Sequence, residues 1–272
     1  MGDVAARFGA GTVVLDMGER VARLTFNRPE ARNAISPLVI ADLTVALDEL
    51  ERWCASSERA AAVVVTGAGD RAFVAGADLR YLESISSREE MAAFSRTMQE
   101  ALARLEDLPV PVIAALEGPA LGGGTEVAWA CDVRVMAEPA YFSFKYARVG
   151  VVPGWGGCRR LVSLVGPARA VLLTTTAAEV SSAEAVRLGL VEEVVPAGRA
   201  VVSAQAWAEQ MASLAPLSVR ELKRLLRHAA GASRDDSAEL ETETFVRLWA
   251  STDHREGLAS LRERRPPVFQ GR

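Results

Sequence analysis

Three consecutive glycines, Gly122, Gly123 and Gly124, are separated from a glutamate, Glu126, by a single threonine. An apolar run of strand length, residues 111–116, comes before them, and residues 125–131 carry a pattern that suits a helix. The order strand, glycine turn, helix lays backbone bare at a helix start. Glycine has no Cβ, so a ligand oxygen can come close to these amides, which are among the unpaired donors of a first helical turn. Such donors suit a developing negative charge, and Glu126 lies in the same turn, where a carboxylate can work on whatever the amides hold. A second turn, Ala75-Gly76-Ala77-Asp78, also exposes its backbone. Two such turns at the ends of adjacent strands can aim two amides at one oxygen, the geometry of an oxyanion hole.

The elements that must position these turns recur along the chain. Residues 13–15 and 21–26 read as a hairpin. Ser36-Pro37 then supplies an N-cap and a first-turn proline for a helix with a buried stripe reaching about Trp53. A second unit starts with the strand at 62–66 and ends in a helix opened by the capping box Ser87-Arg88-Glu89-Glu90 and stopped before Pro109. The third holds the strand at 112–116, the helix with Glu126, a strand at 133–136 and an alternating segment at 141–144. Short strands and helices at a similar period predict an α/β spiral core of stacked ββα turns rather than a doubly wound sheet. Further on, helices are expected at 161–164 and 167–173, and a last strand at 191–195, ended by Pro196. After Arg199 only helical patterns occur, over 201–214, 216–228, 235–249 and 253–264. The expected organisation is a catalytic core over 1–198 and a helical region over 199–272 that packs on the core or on another subunit.

Composition narrows the function. The 272 residues are 50% hydrophobic and 24% charged, ordinary for a globular protein with a full core. A net charge of -4 and a pI near 5.5 give no basic field for nucleic acid or an anionic membrane. No apolar run approaches a membrane span, and residues 1–11, with Asp3, Arg7 and Phe8, do not read as a signal peptide, so a cytoplasmic location is expected. Cys54, Cys131 and Cys158 are odd in number and unpaired in spacing, which argues against a disulfide framework and a zinc site; buried thiols and no metal are expected.

Other chemistries fit less well. Gly67-Ala68-Gly69-Asp70-Arg71-Ala72 follows a strand and fits the dinucleotide pattern, but what comes next is not an amphipathic helix. Tyr141 and Lys145 have the spacing of a dehydrogenase pair, yet their segment alternates like a strand. The only histidines, His228 and His254, lie far along the chain, against a serine or cysteine hydrolase. An NAD(P)-dependent oxidoreductase therefore stands as the alternative from another class, and a catalytically silent coenzyme A-binding module as a third.

These residues together resemble the crotonase, or enoyl-CoA hydratase/isomerase, superfamily, and the resemblance covers nearly the whole chain. Residues 27–34, Asn-Arg-Pro-Glu-Ala-Arg-Asn-Ala, resemble its CoA-binding loop, which gives roles to Arg28 and Ala31. Residues 72–79 and 120–126 resemble its two oxyanion segments, residues 150–157 its later loop and residues 262–267 its ending. The resemblance implies that the amides of Ala77 and Gly123 hold a thioester carbonyl, and that Ala75, Asp78, Leu79 and Gly122 line the CoA and acyl site. It also implies an acyl-CoA substrate, no cofactor beyond the coenzyme A of that substrate, and a homotrimer or a dimer of trimers. Chemistry beside a thioester passes through an enolate whose charge sits on the carbonyl oxygen, so fixed donors there act mainly in the transition state.

One position departs from the family. Its hydratases use two glutamates, one matching Glu126 and one twenty residues further on, where this chain has Tyr146. A phenol, with an ordinary pKa near 10, donates a proton or a hydrogen bond but is a poor base near neutrality. Trp155, in Pro153-Gly154-Trp155-Gly156-Gly157, is a second departure, and the segment looks similar to the branch that decarboxylates malonyl-type CoA esters. The expected activity is that of a hydratase-like lyase with Glu126 and Tyr146 as its catalytic pair. Malonyl-type decarboxylation and isomerisation by Glu126 alone are the alternatives.

Overall fold

The computed structural model describes residues 4–272; Met1 to Asp3, the start of the segment judged for a signal peptide, lie outside the described residues. A hairpin of β2 (Val13–Met17) and β3 (Val21–Phe26), edged by β1 (Val4–Arg7), opens the chain and leads into α1 (Pro37–Ser56). The second turn holds β4 (Ala62–Gly67), the short α2 (Leu79–Ser84) and α3 (Arg88–Asp107). The third holds β5 (Val112–Leu116), β6 (Ala120–Leu121) and α4 (Gly123–Trp129). Then come β7 (Val133–Ala137), β8 (Tyr141–Ser143), α5 (Gly157–Thr175), β9 (Glu179–Ser181), α6 (Ser182–Leu188) and β10 (Glu193–Val195). Four helices close the chain: α7 (Ala200–Ala212), α8 (Pro216–Ala229), α9 (Arg234–Trp249) and α10 (Thr252–Glu263).

Two sheets run through these turns. The larger has the order β1-β2-β3-β4-β5-β7-β10, parallel from β3 onward. The smaller has the order β6-β8-β9, and single bridges continue it backward, Val74 to Ala120 and Ile35 to Ala77. After the opening three strands, β4, β5 and β7 each enter the large sheet from one turn, and each turn adds a short extended segment to the small sheet and at least one helix. That is the spiral of ββα units read from the sequence.

The apolar runs follow from burial on both faces. In β4, Val63 and Val65 enter one cluster with α1 and α3, while Ala62 and Val64 enter a second with Ala200, Ala204 and Ala208 of α7. A parallel strand covered on both sides has no polar face, so it reads as a continuous hydrophobic segment. The three alanines, at intervals of four, put a smooth helical stripe against the sheet. α7, placed by the sequence in the helical region beyond residue 198, is in this way a layer of the core. α8 is tied in by Lys223, whose Nζ lies 2.6 Å from Asp132 Oδ2 and donates to the carbonyl of Val110 at 2.9 Å.

Smaller differences have local causes. The two helices expected at 161–164 and 167–173 are one element, α5, broken where Gly166 turns to φ 77°, ψ 164° ahead of Pro167. The strand expected at 191–195 begins only at Glu193, because Leu190 and Val191 are apolar as core residues rather than as sheet residues. The N-cap at Ser87 forms, its side chain accepting from the Glu90 amide at 3.1 Å, while the Glu90 carboxylate accepts from Tyr81 at 3.5 Å.

Candidate active site

The start of α4 is jammed against the segment before α2. Gly122 caps it at φ 50°, ψ −121°, a backbone conformation for which glycine alone is suited. A Cβ on Gly124 would fall 1.8 Å from the carbonyl oxygen of Val74, so the helix can start this close only without a side chain. The Leu121 amide donates to that same carbonyl at 3.0 Å. Gly76, at φ +86°, completes the contact: a Cβ there would lie 3.1 Å from the Gly123 nitrogen.

The geometry leaves two amides without protein acceptors. Ile35 donates to the Gly76 carbonyl and accepts from the Asp78 amide, both at 2.8 Å. In a parallel bridge of this kind the intervening residue turns its own N–H away. Ala77 therefore does not pair its amide with Ile35, and its neighbour Gly76 lies against Gly123. Among the described residues neither the Ala77 nor the Gly123 amide donates to a protein acceptor. Two neighbouring free amides, one of them at a helix N-terminus, can hold one oxygen anion.

Glu126 is 1% exposed and its carboxylate is held by a loop far along the chain. Oε2 accepts from the amides of Trp155 at 2.8 Å and Gly157 at 2.7 Å. Oε1 has only longer contacts, the Gly154 amide at 3.2 Å and the Tyr146 hydroxyl at 3.4 Å. Burial raises the Glu126 pKa above the ordinary 4.5, against the lowering effect of these donors. The result is a carboxyl clamped through one oxygen and available through the other.

The loop that holds Glu126 is itself hung from α3 and α5. Ser95 and Gln99 donate to the Gly154 carbonyl at 2.6 and 2.7 Å. Arg160, buried, donates from Nη1 to the Trp155 carbonyl at 2.9 Å and from Nε to Glu106 Oε2, also at 2.9 Å. The Trp155 indole, 5% exposed, lies on Gly123, and a Cβ there would fall 2.2 Å from its Cζ3. Its other side meets Phe94 edge-on at 6.1 Å, and Phe94 in turn packs on Tyr81 at 5.0 Å.

Tyr146, 6% exposed, lies in the cluster where the sequence put it, but its hydroxyl is engaged. It donates to the Gly122 carbonyl at 2.7 Å and lies 3.0 Å from Thr125 Oγ1. Burial first, then the charge of Glu126, pushes its pKa well above 10, so the phenol stays neutral. Arg28 donates from Nη1 to Asp78 Oδ2 at 3.0 Å and to the Ala34 carbonyl at 2.7 Å, which joins the loop before α1 to the segment carrying Ala77. Burial opposes ionisation of Asp78, but the Arg28 guanidinium outweighs it and holds that carboxyl below its ordinary value. Ala31 sits in the short helical turn Pro29–Ala31 of the same loop, and Ala75 donates to the Arg32 carbonyl at 3.1 Å. Leu79, expected along the acyl site, is 72% exposed at the start of α2.

Several residues of this architecture were not singled out from the sequence. Asn33, buried at φ +56°, accepts from the Arg28 amide at 2.9 Å and donates to the Ala68 and Ala72 carbonyls at 3.1 and 2.9 Å. Its signal is an asparagine in a loop, a residue that tolerates the left-handed region. The bond of Arg160 to Glu106 and those of the Gly154, Trp155 and Gly157 amides to Glu126 join residues more than 25 apart, for which no local pattern exists. The dinucleotide-like stretch after β4 opens no helix, since α2 begins only at Leu79, and Tyr141 lies in a strand.

Comparison with known proteins places the fold and the sequence in one family. Residues 16–272 match the family model described as enoyl-CoA hydratase/isomerase. The short-chain-enoyl-CoA hydratase of Clostridium acetobutylicum is 34% identical over 93% of this chain and 95% of its own. The crotonyl-CoA hydratase of Syntrophomonas wolfei is 34% identical over 94% of this chain and 97% of its own. The crystal structure of an enoyl-CoA hydratase from Bacillus anthracis superposes with a TM-score of 0.91 at 32% identity, over 96% of this chain and all of that one. With spiral core, glycine-started helix and near full-length similarity in agreement, the chain belongs to the enoyl-CoA hydratase/isomerase, or crotonase, family.

Proposed function

We propose that this protein is an acyl-CoA lyase that works through an enolate. The thioester carbonyl oxygen sits between the amides of Ala77 and Gly123, and Glu126 Oε1 carries the proton. The observation that supports this most is the pair of free amides beside a carboxyl one turn further along the same helix. Fixed donors of this kind are worth roughly 3 to 4 kcal/mol each in the transition state. In a hydration, Oε1 takes a proton from water as the oxygen adds to the β-carbon, and returns one to the α-carbon. Tyr146 keeps its hydroxyl beside Oε1 and positions it, and Arg28, Ala31, Ala75, Asp78, Leu79 and Gly122 shape the coenzyme A side.

A second reading has an observation of its own. Where hydratases have another carboxylate, Tyr146 is a neutral phenol, so at most one carboxylate, that of Glu126, faces the substrate rather than two. A substrate bearing its own carboxylate is repelled less there. In that case Glu126 enters as the neutral acid that its raised pKa favours: the bond from the α-carbon to the carboxylate breaks, carbon dioxide leaves, the electron pair enters the enolate, the Glu126 proton passes to the α-carbon, and solvent reprotonates the carboxylate. Both activities are tested side by side: hydration of crotonyl-CoA and release of carbon dioxide from methylmalonyl-CoA. Turnover of the first alone favours the hydratase, of the second alone the decarboxylase, and turnover of neither overturns both.

The family expectations of a homotrimer and a cytoplasmic location belong to the same proposal. Phe245, Trp249 and Leu261 are exposed on the C-terminal helices, an apolar face suited to a second copy of the chain. Light scattering that returns a monomer would count against the trimer. Among the described residues no helix is long and apolar enough to cross a membrane.

A further inference from the structure

Trp155 touches both ends of the reacting space. Its ring lies on Gly123, the residue whose amide faces the thioester oxygen, while its own amide is bound to Glu126 Oε2. The Glu126 carboxyl serves only the first carbons of an acyl group whose carbonyl is held at Gly123. A chain that continues past them along this end of α4 runs against the indole lying on Gly123.

The ring cannot swing aside at low cost. It is buried, its carbonyl is held by Arg160, and Phe94 meets it edge-on, backed by Tyr81 on α2. Displacing it would open a void at Phe94 and disturb the amide that holds Glu126. Interiors of this density do not deform continuously to admit extra methylenes.

We infer that Trp155 closes the acyl end of the site and confines the protein to CoA esters of short acyl groups. The inference rests on the reading that the thioester carbonyl is held at Gly123. It names Trp155 as the residue that sets chain length.

Calorimetric binding of saturated butyryl-CoA and octanoyl-CoA, which do not react, tests this without reference to the chemistry. The wild type is compared with Trp155→Ala and with Trp155→Leu, which keeps apolar volume against Phe94; both leave the backbone amide to Glu126 in place. Wild type should favour butyryl-CoA, and either variant should shift the ratio of the two dissociation constants toward octanoyl-CoA by about tenfold or more, the discrimination that one or two methylenes carry in an apolar pocket. Equal ratios in wild type and in whichever variant folds overturn the length limit alone. A wild type that binds neither ester overturns the proposed function instead.

Discussion

Glu126 and Gly157 form a single fitted unit, the Gly157 amide donating to Glu126 Oε2 at 2.7 Å while its Cα faces the same side chain. A Cβ on residue 157 would fall 2.6 Å from Glu126 Cγ and 2.9 Å from its Cδ. The glutamate is buried and clamped through Oε2 by two short amide bonds, so moving away from a Cβ at 157 would break them.

Gly157→Ala is therefore expected to destabilise the fold by about 1–3 kcal/mol, the cost of overpacking a filled core, and to lower turnover by displacing the carboxyl. Denaturant midpoints and kcat/KM measure the two effects. A variant as stable and as active as the wild type would show that Glu126 is free to move.

The raised pKa of Glu126 gives a pH dependence with a definite sign. Burial makes the folded protein bind this proton more readily than the unfolded chain does. The proton-linked stability is thus fully present below the ordinary value of 4.5 and is lost as pH rises through the higher folded value. Glu126→Gln, uncharged throughout, lacks this loss. Denaturation of both proteins from pH 4 to 8 should show the wild type losing stability relative to Glu126→Gln as pH rises, and a difference that stays constant would refute the assignment. Turnover by the glutamine variant should fall by at least about a hundredfold, the lower range for a positioned acid or base.

The sequence carries the parts of this site that are local. The triple glycine and Glu126 lie within one helical turn of each other, so composition and spacing reveal both. The spiral is legible for a related reason, since each turn repeats the same strand-to-helix pattern. What encloses Glu126 is not local: the amides come from residues 154–157, roughly one spiral turn later, and Arg160 secures them from beyond. Tyr146 was found because it stands where a carboxylate is expected, but its bond to the Gly122 carbonyl depends on how two loops meet. α7 carries only a helical pattern, and nothing in its alanines says which face of a sheet they will cover.

Arg160 is a positioning residue, because it reaches Glu126 only through the Trp155 peptide. A lysine can keep the charge near Glu106 but cannot donate in both directions from one planar group. Arg160→Lys should lower kcat/KM by about tenfold, and the pH profile should move as well. Loosening the 154–157 amides removes donors that hold the Glu126 pKa down, so the limb of the profile that reports Glu126 should shift to higher pH. Reduced stability with an unmoved limb would mean that Arg160 serves the fold alone.

Tyr146→Phe separates a tether from a proton donor. The phenol has one proton, and its short bond is to the Gly122 carbonyl at 2.7 Å rather than to Glu126 at 3.4 Å. The Gly122 carbonyl also accepts from the Thr125 amide and hydroxyl, so the turn survives the loss, at a cost of about 1 kcal/mol for one neutral hydrogen bond. The contact to Oε1 lowers the Glu126 pKa, and removing it should move the Glu126 limb of the pH profile upward while kcat/KM falls by less than about tenfold. A loss of a hundredfold or more with the limb unmoved would instead make the phenol the group that transfers the proton.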